Sequence, residues 1–163
     1  GPSLAYAMTN GRLPRYPTFA ELQTIGDWHG QNYAPMGTQA MYVATKSFES
    51  RNLLVPVVGD FAGPKALRAV GAYLKAHELT VGVFYLSNVE QYLFQDGLWP
   101  AFEKNVEALP LDESSTFVRS CFSGCASNYP SRAVMLTDSI ASLVQDTKEG
   151  RIRGYLDVLG RSR

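Results

Sequence analysis

Residues 53–77 read LLVPVVGDFAGPKALRAVGAYLKAH, and this stretch decides the fold class of the chain. Its first six residues, 53–58, form a continuous apolar run of the kind found in strands that are covered on both faces of a parallel sheet. Pro56 within that run is typical of a sheet edge or a bulge. Pro64 then suits the first turn of a helix, where its missing N–H costs nothing. The stretch therefore predicts a strand, a turn and a helix.

Two more strands are predicted further along the chain. Residues 80–94, TVGVFYLSNVEQYLF, contain a strand over 80–86 and the start of a helix at Glu90. After a helix with Pro100 in its first turn, residues 115–122, STFVRSCF, form the third strand. The helical connections are long enough for right-handed crossovers, so parallel order is the simplest topology. We expect an α/β fold with a mainly parallel sheet of at least three strands, in the order βαβαβ.

The chain divides into an N-terminal region, residues 1–36, and an α/β domain, residues 37–163. Gly1 and Pro2 are typical of what a protease leaves when it removes an affinity tag, and we expect the natural N-terminus to differ. The N-terminal region is interrupted by prolines and glycines, which indicates loops and a short helix. A second helix is expected from Thr38 onward, with its apolar residues on one face.

The short helix of the N-terminal region is predicted from a capping box, because Thr18 lies three residues before Glu21. The following loop carries Trp28, His29 and Tyr33. Aromatic residues in a long loop suggest a binding site or, more simply, anchors that hold the loop to the domain. We expect the anchoring role.

Beyond the third strand, the segment SGCASNYPSR at residues 123–132 is predicted to be a loop. Thr137 or Asp138 is expected to cap a helix that Gly150 ends. Residues 152–159 have the spacing of a last amphipathic helix.

Composition excludes some classes of function. The 163 residues are 45% hydrophobic and 18% charged, with formal net charge zero. A nucleic-acid-binding protein is expected to carry a basic excess, so nucleic acid is a poor partner for this chain. No apolar run reaches the ~20 residues of a membrane span. Cys121 and Cys125 lack metal-site spacing, so we expect no metal, two unlinked thiols and a cytoplasmic location.

Candidate ligand-binding residues follow from topology, since open parallel sheets bind ligands outside the carboxyl ends of their strands. The polar and glycine residues that the predicted topology brings to that edge are Gly59, Asp60, Gly63, Ser87, Asn88, Glu90 and Arg119. We expect a small molecule there. The sequence contains no convincing catalytic triad.

Each of these residues also has a structural explanation. GDFAGPKA lacks the spacing of a phosphate-binding loop and reads equally as a tight turn. Asp60 serves either as a ligand for ribose or amine groups or as a helix cap, and Ser87 or Asn88 can cap the next helix. Arg119 interrupts an apolar strand, so it either reaches water at a sheet edge or pairs with an acid such as Asp60 or Glu90.

Three segments carry a family resemblance: VPVVGDFAGPKALRAVG at 55–71, YLSNVEQYLFQDG at 85–97 and LPLDESSTFVRS at 109–120. They resemble a family of uncharacterised bacterial proteins about twice this length, and the likeness extends over residues 38–163. The resemblance implies a Rossmann-like, three-layer αβα fold similar to S-adenosylmethionine-dependent methyltransferases. This chain looks like the C-terminal half of such a protein.

The resemblance implies a methyltransferase-like domain that binds a small molecule or a nucleotide-like cofactor, with S-adenosylmethionine as the candidate. The glycine-rich turn and the strand-end acid with which such folds hold this cofactor are not found in this chain. The alternative is a non-catalytic binding or assembly module of the same fold. A half domain leaves a sheet edge unpaired, so we also expect either a missing N-terminal half or self-association into a homo-oligomer.

Overall fold

The computed structural model describes residues 19–27, 29–121 and 134–162. These residues form two compact units, Gly1–Pro56 and Val57–Arg163. The sequence placed the division at 36/37, whereas here the helix that begins after Thr38 belongs to the N-terminal unit.

The described residues contain seven helices and three strands. In chain order they are α1 (Phe19–Thr24), α2 (Gln39–Ser50), α3 (Ala66–Ala76), β1 (Val83–Ser87), α4 (Val89–Gln95), α5 (Trp99–Glu107), β2 (Thr116–Cys121), β3 (Val134–Ser139), α6 (Ile140–Lys148) and α7 (Tyr155–Arg161).

The helix ends follow the predicted local chemistry only in part, and α3 begins at Ala66 and not at Pro64. Thr38 is the N-cap of α2 and its hydroxyl accepts a hydrogen bond from the Met41 N–H at 3.2 Å. Gly150, with φ +72°, follows the C-terminus of α6, a backbone conformation that glycine adopts without strain. The cap of α6 is Ser139 rather than Thr137 or Asp138. Those two residues lie in β3, a strand that the sequence analysis missed.

The sheet has the order β1-β2-β3 and is mixed. β1 and β2 are parallel, as predicted, and β2 pairs with β3 in antiparallel register from Thr116↔Ser139 to Cys121↔Val134. The prediction of a Rossmann-like, three-layer αβα fold with a mainly parallel sheet is therefore wrong. The described residues form a small mixed α/β domain instead. The error arose because residues 134–139, where the sequence analysis placed only a helix cap, form a strand that is antiparallel to β2.

The predicted strand at residues 53–58 is also wrong. This run, which we call the apolar segment, is neither helix nor strand, and every residue in it is exposed. Within the described residues, no backbone hydrogen bond joins positions 54–59 to another residue. An apolar run becomes a buried strand only where a neighbouring strand and covering side chains are present, and the part of the chain that the structure describes supplies neither to this run.

The core lies in the unit Val57–Arg163, between one face of the sheet and the helices. Phe117 of β2 is completely buried, and its neighbour across the parallel pair, Phe84, lies 5.5 Å away between ring centroids. Phe102 of α5 packs against Phe84 and Trp99. The opposite face exposes Val83 and Tyr85 of β1 and Met135 of β3.

Candidate functional site

A buried arginine occupies the centre of the domain. Arg119 lies in β2 on the same face as Phe117, and its side chain is 0% exposed. Glu90, in the first turn of α4, accepts hydrogen bonds from Nε and Nη2 of Arg119 at 2.6 and 3.0 Å. The guanidinium carbon also lies 5.3 Å from the centroid of the Phe117 ring. Of the two acids that the sequence offered as partners for Arg119, the structure uses Glu90.

The third guanidinium nitrogen of Arg119 has two more partners. Nη1 donates to Oδ2 of Asp138 on β3 at 3.2 Å and to the hydroxyl of Ser162 at 2.6 Å. The Ser162 hydroxyl in turn donates to the Val158 carbonyl of α7 at 2.7 Å. A buried charge is tolerated only when it is paired and hydrogen-bonded, and Arg119 meets both conditions.

Burial shifts the pKa of two groups that interact electrostatically with Arg119, namely Glu90 and Tyr155. Burial raises the pKa of Glu90, while the positive charge of Arg119 and its hydrogen bonds oppose that rise. The bidentate contact supplies Arg119 with its main counter-charge. Burial also raises the pKa of Tyr155, with a smaller contribution from the negative charge of Glu90.

Asp138 connects this cluster to a second arginine. Its Oδ2 lies 3.0 Å from Nε of Arg161, whose Nη1 lies 2.7 Å from Oδ2 of Asp146 on α6. Nε and Nη1 of Arg161 are therefore within ion-pair distance of these carboxylates, but neither nitrogen forms a hydrogen bond. Nη2 of Arg161 does donate to the Ser142 hydroxyl at 2.7 Å. The C-terminal end of α7 is thus fixed by charge to β3 and to α6.

A pocket of about 390 Å³ opens where β3 ends and α6 begins. The side chains that line it are mostly hydroxyl-bearing and include one charge pair: Thr116, Thr137, Asp138, Ser139, Ser142 and Arg161. Ser139 accepts a hydrogen bond from the Ser142 N–H at 3.3 Å and caps α6. The size falls within the range of small-molecule sites.

The predicted glycine turn is held by internal contacts. The Asp60 side chain accepts from the Ala62 N–H at 2.9 Å, and the Gly63 N–H donates to the Asp60 carbonyl at 3.1 Å. The carbonyl oxygens of Phe61 and Gly63 accept from Nδ2 of Asn105 at 2.9 and 2.8 Å. Asn105 is almost fully buried, and the sequence analysis did not single it out. These contacts make Asp60 and Gly63 parts of a closed turn.

Ser87 and Asn88 lie where β1 passes into α4. Ser87 has φ +52°, and the pairing of β1 with β2 shifts register just before it. Asn88 is the N-cap position of α4, but its side chain makes no capping hydrogen bond. Close by, the Tyr85 hydroxyl lies 3.2 Å from Oγ of Ser120. Hydrogen bonds from Ser120 and, more weakly, from Ser87 lower the pKa of Tyr85.

Among the predicted site residues, the structure joins Glu90 to Arg119 in one cluster. Asp60 makes its contacts within the glycine turn. The sequence analysis missed Asp138, Arg161 and Ser162, although they complete the cluster. The available signal was Arg119 itself, since a buried guanidinium has more donors than one carboxylate satisfies.

The N-terminal loop differs from its predicted role. Tyr33 is 71% exposed, so the prediction that it anchors the loop by packing is wrong for this residue. Trp28 lies outside the described residues. His29 belongs to a turn in which Oδ1 of Asp27 accepts from the backbone N–H groups of His29 and Gln31 at 2.8 and 2.9 Å.

The cysteine and membrane predictions have different outcomes. Cys121 is disulfide-bonded, so the expectation of an unlinked thiol at this position is wrong. Cys125 and the predicted loop at 123–132 lie outside the described residues. Among the residues that the structure covers, no three His, Cys, Asp or Glu side chains are grouped to hold a metal ion. None of the described helices combines the length and apolar character that crossing a membrane requires.

Comparison with known proteins identifies one family. Residues 27–150 match the Domain of unknown function DUF7790. The chain belongs to the DUF7790 family. This match covers α2 to α6, and therefore the glycine turn, Arg119 and most of the pocket, within the family's extent. A search of the curated proteins found no match. Membership of the DUF7790 family carries no activity with it, so methyl transfer stays a prediction from resemblance.

Proposed function

We propose that this DUF7790 chain is a non-catalytic binding module that attaches to a protein partner through the apolar surface of its N-terminal unit. One observation carries the proposal: none of the described residues at 20–27 and 29–56 is buried. The large apolar side chains that are exposed there are Leu22, Ile25, Tyr33, Met36, Tyr42, Val43, Phe48, Leu53, Leu54 and Val55. Exposed apolar surface on this scale is typical of interaction sites.

The N-terminal unit owes its local order to polar contacts. Asn32 donates through Nδ2 to the Gln23 carbonyl at 2.7 Å, and Oε1 of Gln23 accepts from the Met36 N–H at 3.0 Å. The Thr45 hydroxyl donates to the Pro35 carbonyl at 3.4 Å. These bonds join α1, the loop and α2 without burying their apolar side chains. The unit therefore presents those side chains on a defined backbone, which supports a binding role.

Helix α2 supports the proposal separately. It has twelve residues, none of them buried, and its apolar residues include Val43 and Phe48, which are 55% and 54% exposed. Helices of this length are marginal in water unless tertiary packing stabilises an apolar face. A partner surface would supply that packing.

The experiment replaces apolar side chains on α2 with charged ones. Val43→Glu and Phe48→Glu should lower both the association state seen by sedimentation velocity and the fluorescence of a bound apolar dye. Lys46→Glu is the matched control, because it adds the same carboxylate to the same helix at an exposed position without removing apolar surface. A wild-type chain that stays monomeric, with the same dye signal as Phe48→Glu, would exclude the proposal.

A second candidate function is binding of a small polar ligand in the pocket between β3 and α6. The pocket of about 390 Å³ favours it, because hydroxyl groups and the Asp138–Arg161 pair offer both donors and acceptors. Calorimetric titration with S-adenosylmethionine and S-adenosylhomocysteine tests the cofactor that the resemblance implies. Binding that disappears in Ser142→Trp, which fills the pocket, would favour this candidate. Binding that this variant retains would place the cofactor elsewhere.

A further inference from the structure

The apolar segment and the edge of β1 are complementary parts of one chain. The apolar segment is neither helix nor strand and its side chains are exposed, and among the described residues its positions 54–58 make no backbone hydrogen bond. Within the same described residues, β2 is the sheet neighbour of β1, so the other side of β1 is a free edge. Free edges accept added strands, and added strands gain affinity from main-chain hydrogen bonds.

We propose that the apolar segment of one copy of this chain pairs with the β1 edge of a second copy, and that the exchange is reciprocal. The proposal rests on the proposed function and names its partner. Each copy contributes one segment and one edge, so two copies satisfy both and the contact closes on itself. The formal net charge of zero leaves no overall repulsion between the copies.

Backbone alternation assigns the contacts on β1. The Thr116 N–H donates to the Gly82 carbonyl at 2.9 Å, so Gly82 and then Phe84 direct their backbone groups toward β2. In a parallel ladder, the residues between them direct N–H and C=O groups to the other side. Val83 and Tyr85 therefore present their backbone groups at the free edge. Their side chains, 66% and 56% exposed, lie beside it on the face of the sheet opposite the core.

Pro56 assigns the orientation of the incoming segment. Proline has no N–H and is tolerated in a strand where that position faces away from the ladder. With Pro56 directed outward, Val55 and Val57 direct their N–H and C=O groups toward β1. The outer edge of the added strand then has a missing donor at Pro56, which hinders addition of a third strand. The geometry therefore favours a closed dimer over an open fibre.

Cysteine cross-linking between two differently labelled chains tests the proposal. Chains carrying Val55→Cys or Val57→Cys are mixed with chains carrying Val83→Cys and oxidised gently. A disulfide between the two variants, in a species of two-chain mass, is the expected result. Met135→Cys replaces Val83→Cys in the control, because Met135 is similarly exposed but lies on β3 at the opposite edge of the sheet. The control pair should not cross-link.

Proline substitutions provide a second measurement at positions that are already exposed. Val57→Pro removes an N–H directed at β1 and should raise the dimer Kd about tenfold, the usual effect of one lost backbone hydrogen bond. Val58→Pro removes an outward N–H from the same segment and should leave Kd unchanged. Equal effects of the two substitutions would overturn the assigned orientation and with it the strand pairing.

Three other outcomes would overturn the proposal. A chain that remains monomeric at all concentrations excludes the second copy. Cross-linking within single chains of a Val55→Cys/Val83→Cys double variant, without dimer, shows that the segment pairs with its own edge. A dimer that forms without the Val55–Val83 or Val57–Val83 cross-link rejects strand exchange but keeps the proposed function, which Phe48→Glu tests separately.

Discussion

The carboxylate of Glu90 binds the guanidinium of Arg119 through both of its oxygens, and neither side chain is more than 1% exposed. Removing one partner of such a pair destabilises the fold, because the other partner is left as a buried charge without a counter-charge. The cluster around Arg119 is therefore best tested by measuring stability.

Glu90→Gln and Arg119→Met are each expected to lower the free energy of unfolding by about 3–5 kcal/mol, as measured by urea denaturation. The double variant Glu90→Gln/Arg119→Met should lose less than the two single losses together, because no unpaired charge is left at that contact. Lys148→Met is the control. Its ion pair with Glu107 at 3.5 Å is largely exposed and should contribute less than about 1 kcal/mol. If Lys148→Met and Arg119→Met lowered the free energy of unfolding by similar amounts, burial of the Arg119 pair would not increase the cost of breaking it.

Glu103 on α5 should make stability depend on pH. Burial, followed by the neighbouring Glu107, raises the pKa of Glu103 from 4.5 to about 7, and its Oε1 is buried without a hydrogen bond. The folded chain therefore holds this proton more tightly than the unfolded chain. As pH rises from about 4.5 to about 7, the unfolded state loses the proton first, and the free energy of unfolding falls.

Glu103→Gln should remove this part of the pH dependence and stabilise the chain above neutral pH relative to wild type. Urea denaturation at a series of pH values measures the effect. Glu113→Gln, at an exposed loop position, should leave the wild-type trend unchanged. An unaltered pH trend in Glu103→Gln would contradict the raised pKa.

Gly59 lets two parts of the chain approach closely. A Cβ added at Gly59 would overlap the Cβ of Ala66 at the start of α3. Gly59→Ala should therefore lower the free energy of unfolding by about 1–3 kcal/mol. Gly82→Ala is the control, since a Cβ there meets nothing within 4 Å, and it should change stability by less than about 0.5 kcal/mol. Unchanged stability in Gly59→Ala would contradict the close approach of Gly59 to Ala66.

The disulfide at Cys121 predicts a difference in alkylation. In denaturant without reductant, Cys121 should resist iodoacetamide, because its sulfur is already bonded. After reduction it should be modified completely, and peptide mass spectrometry measures both states. Alkylation of Cys121 before reduction would contradict the disulfide. Since disulfides persist mainly in oxidising compartments, the result also bears on the predicted cytoplasmic location.

Local sequence signals predicted much of the domain. The helix that follows Thr38, the glycine after α6 and the parallel pairing of β1 with β2 all follow from residue chemistry and connection length. Strand β3 was missed because its last residues, Thr137–Asp138–Ser139, have the polar character of a helix cap. Only Ser139 has that role, and the two residues before it pair with β2.

The apolar segment was misread for a different physical reason. Its composition specifies the environment that it requires, namely covering side chains on both faces, but not whether the same chain supplies that environment.

The cluster around Arg119 was predicted only in part. Arg119 signalled the need for a buried acid, and Glu90 was one of two candidates, whereas Asp138 and Ser162 depend on β3 and α7 packing against β2.

The contact between Arg119 and Ser162 has a consequence for biosynthesis. Nη1 of Arg119, in the middle strand of the sheet, is not fully satisfied until the hydroxyl of Ser162 reaches it. A ribosome must therefore translate through residue 162, and the emerging chain must clear the exit tunnel, before the sheet gains its last internal partner. Until then the nascent domain holds an incompletely compensated positive charge, and we expect it to depend on chaperones for longer than the position of β2 in the sequence suggests.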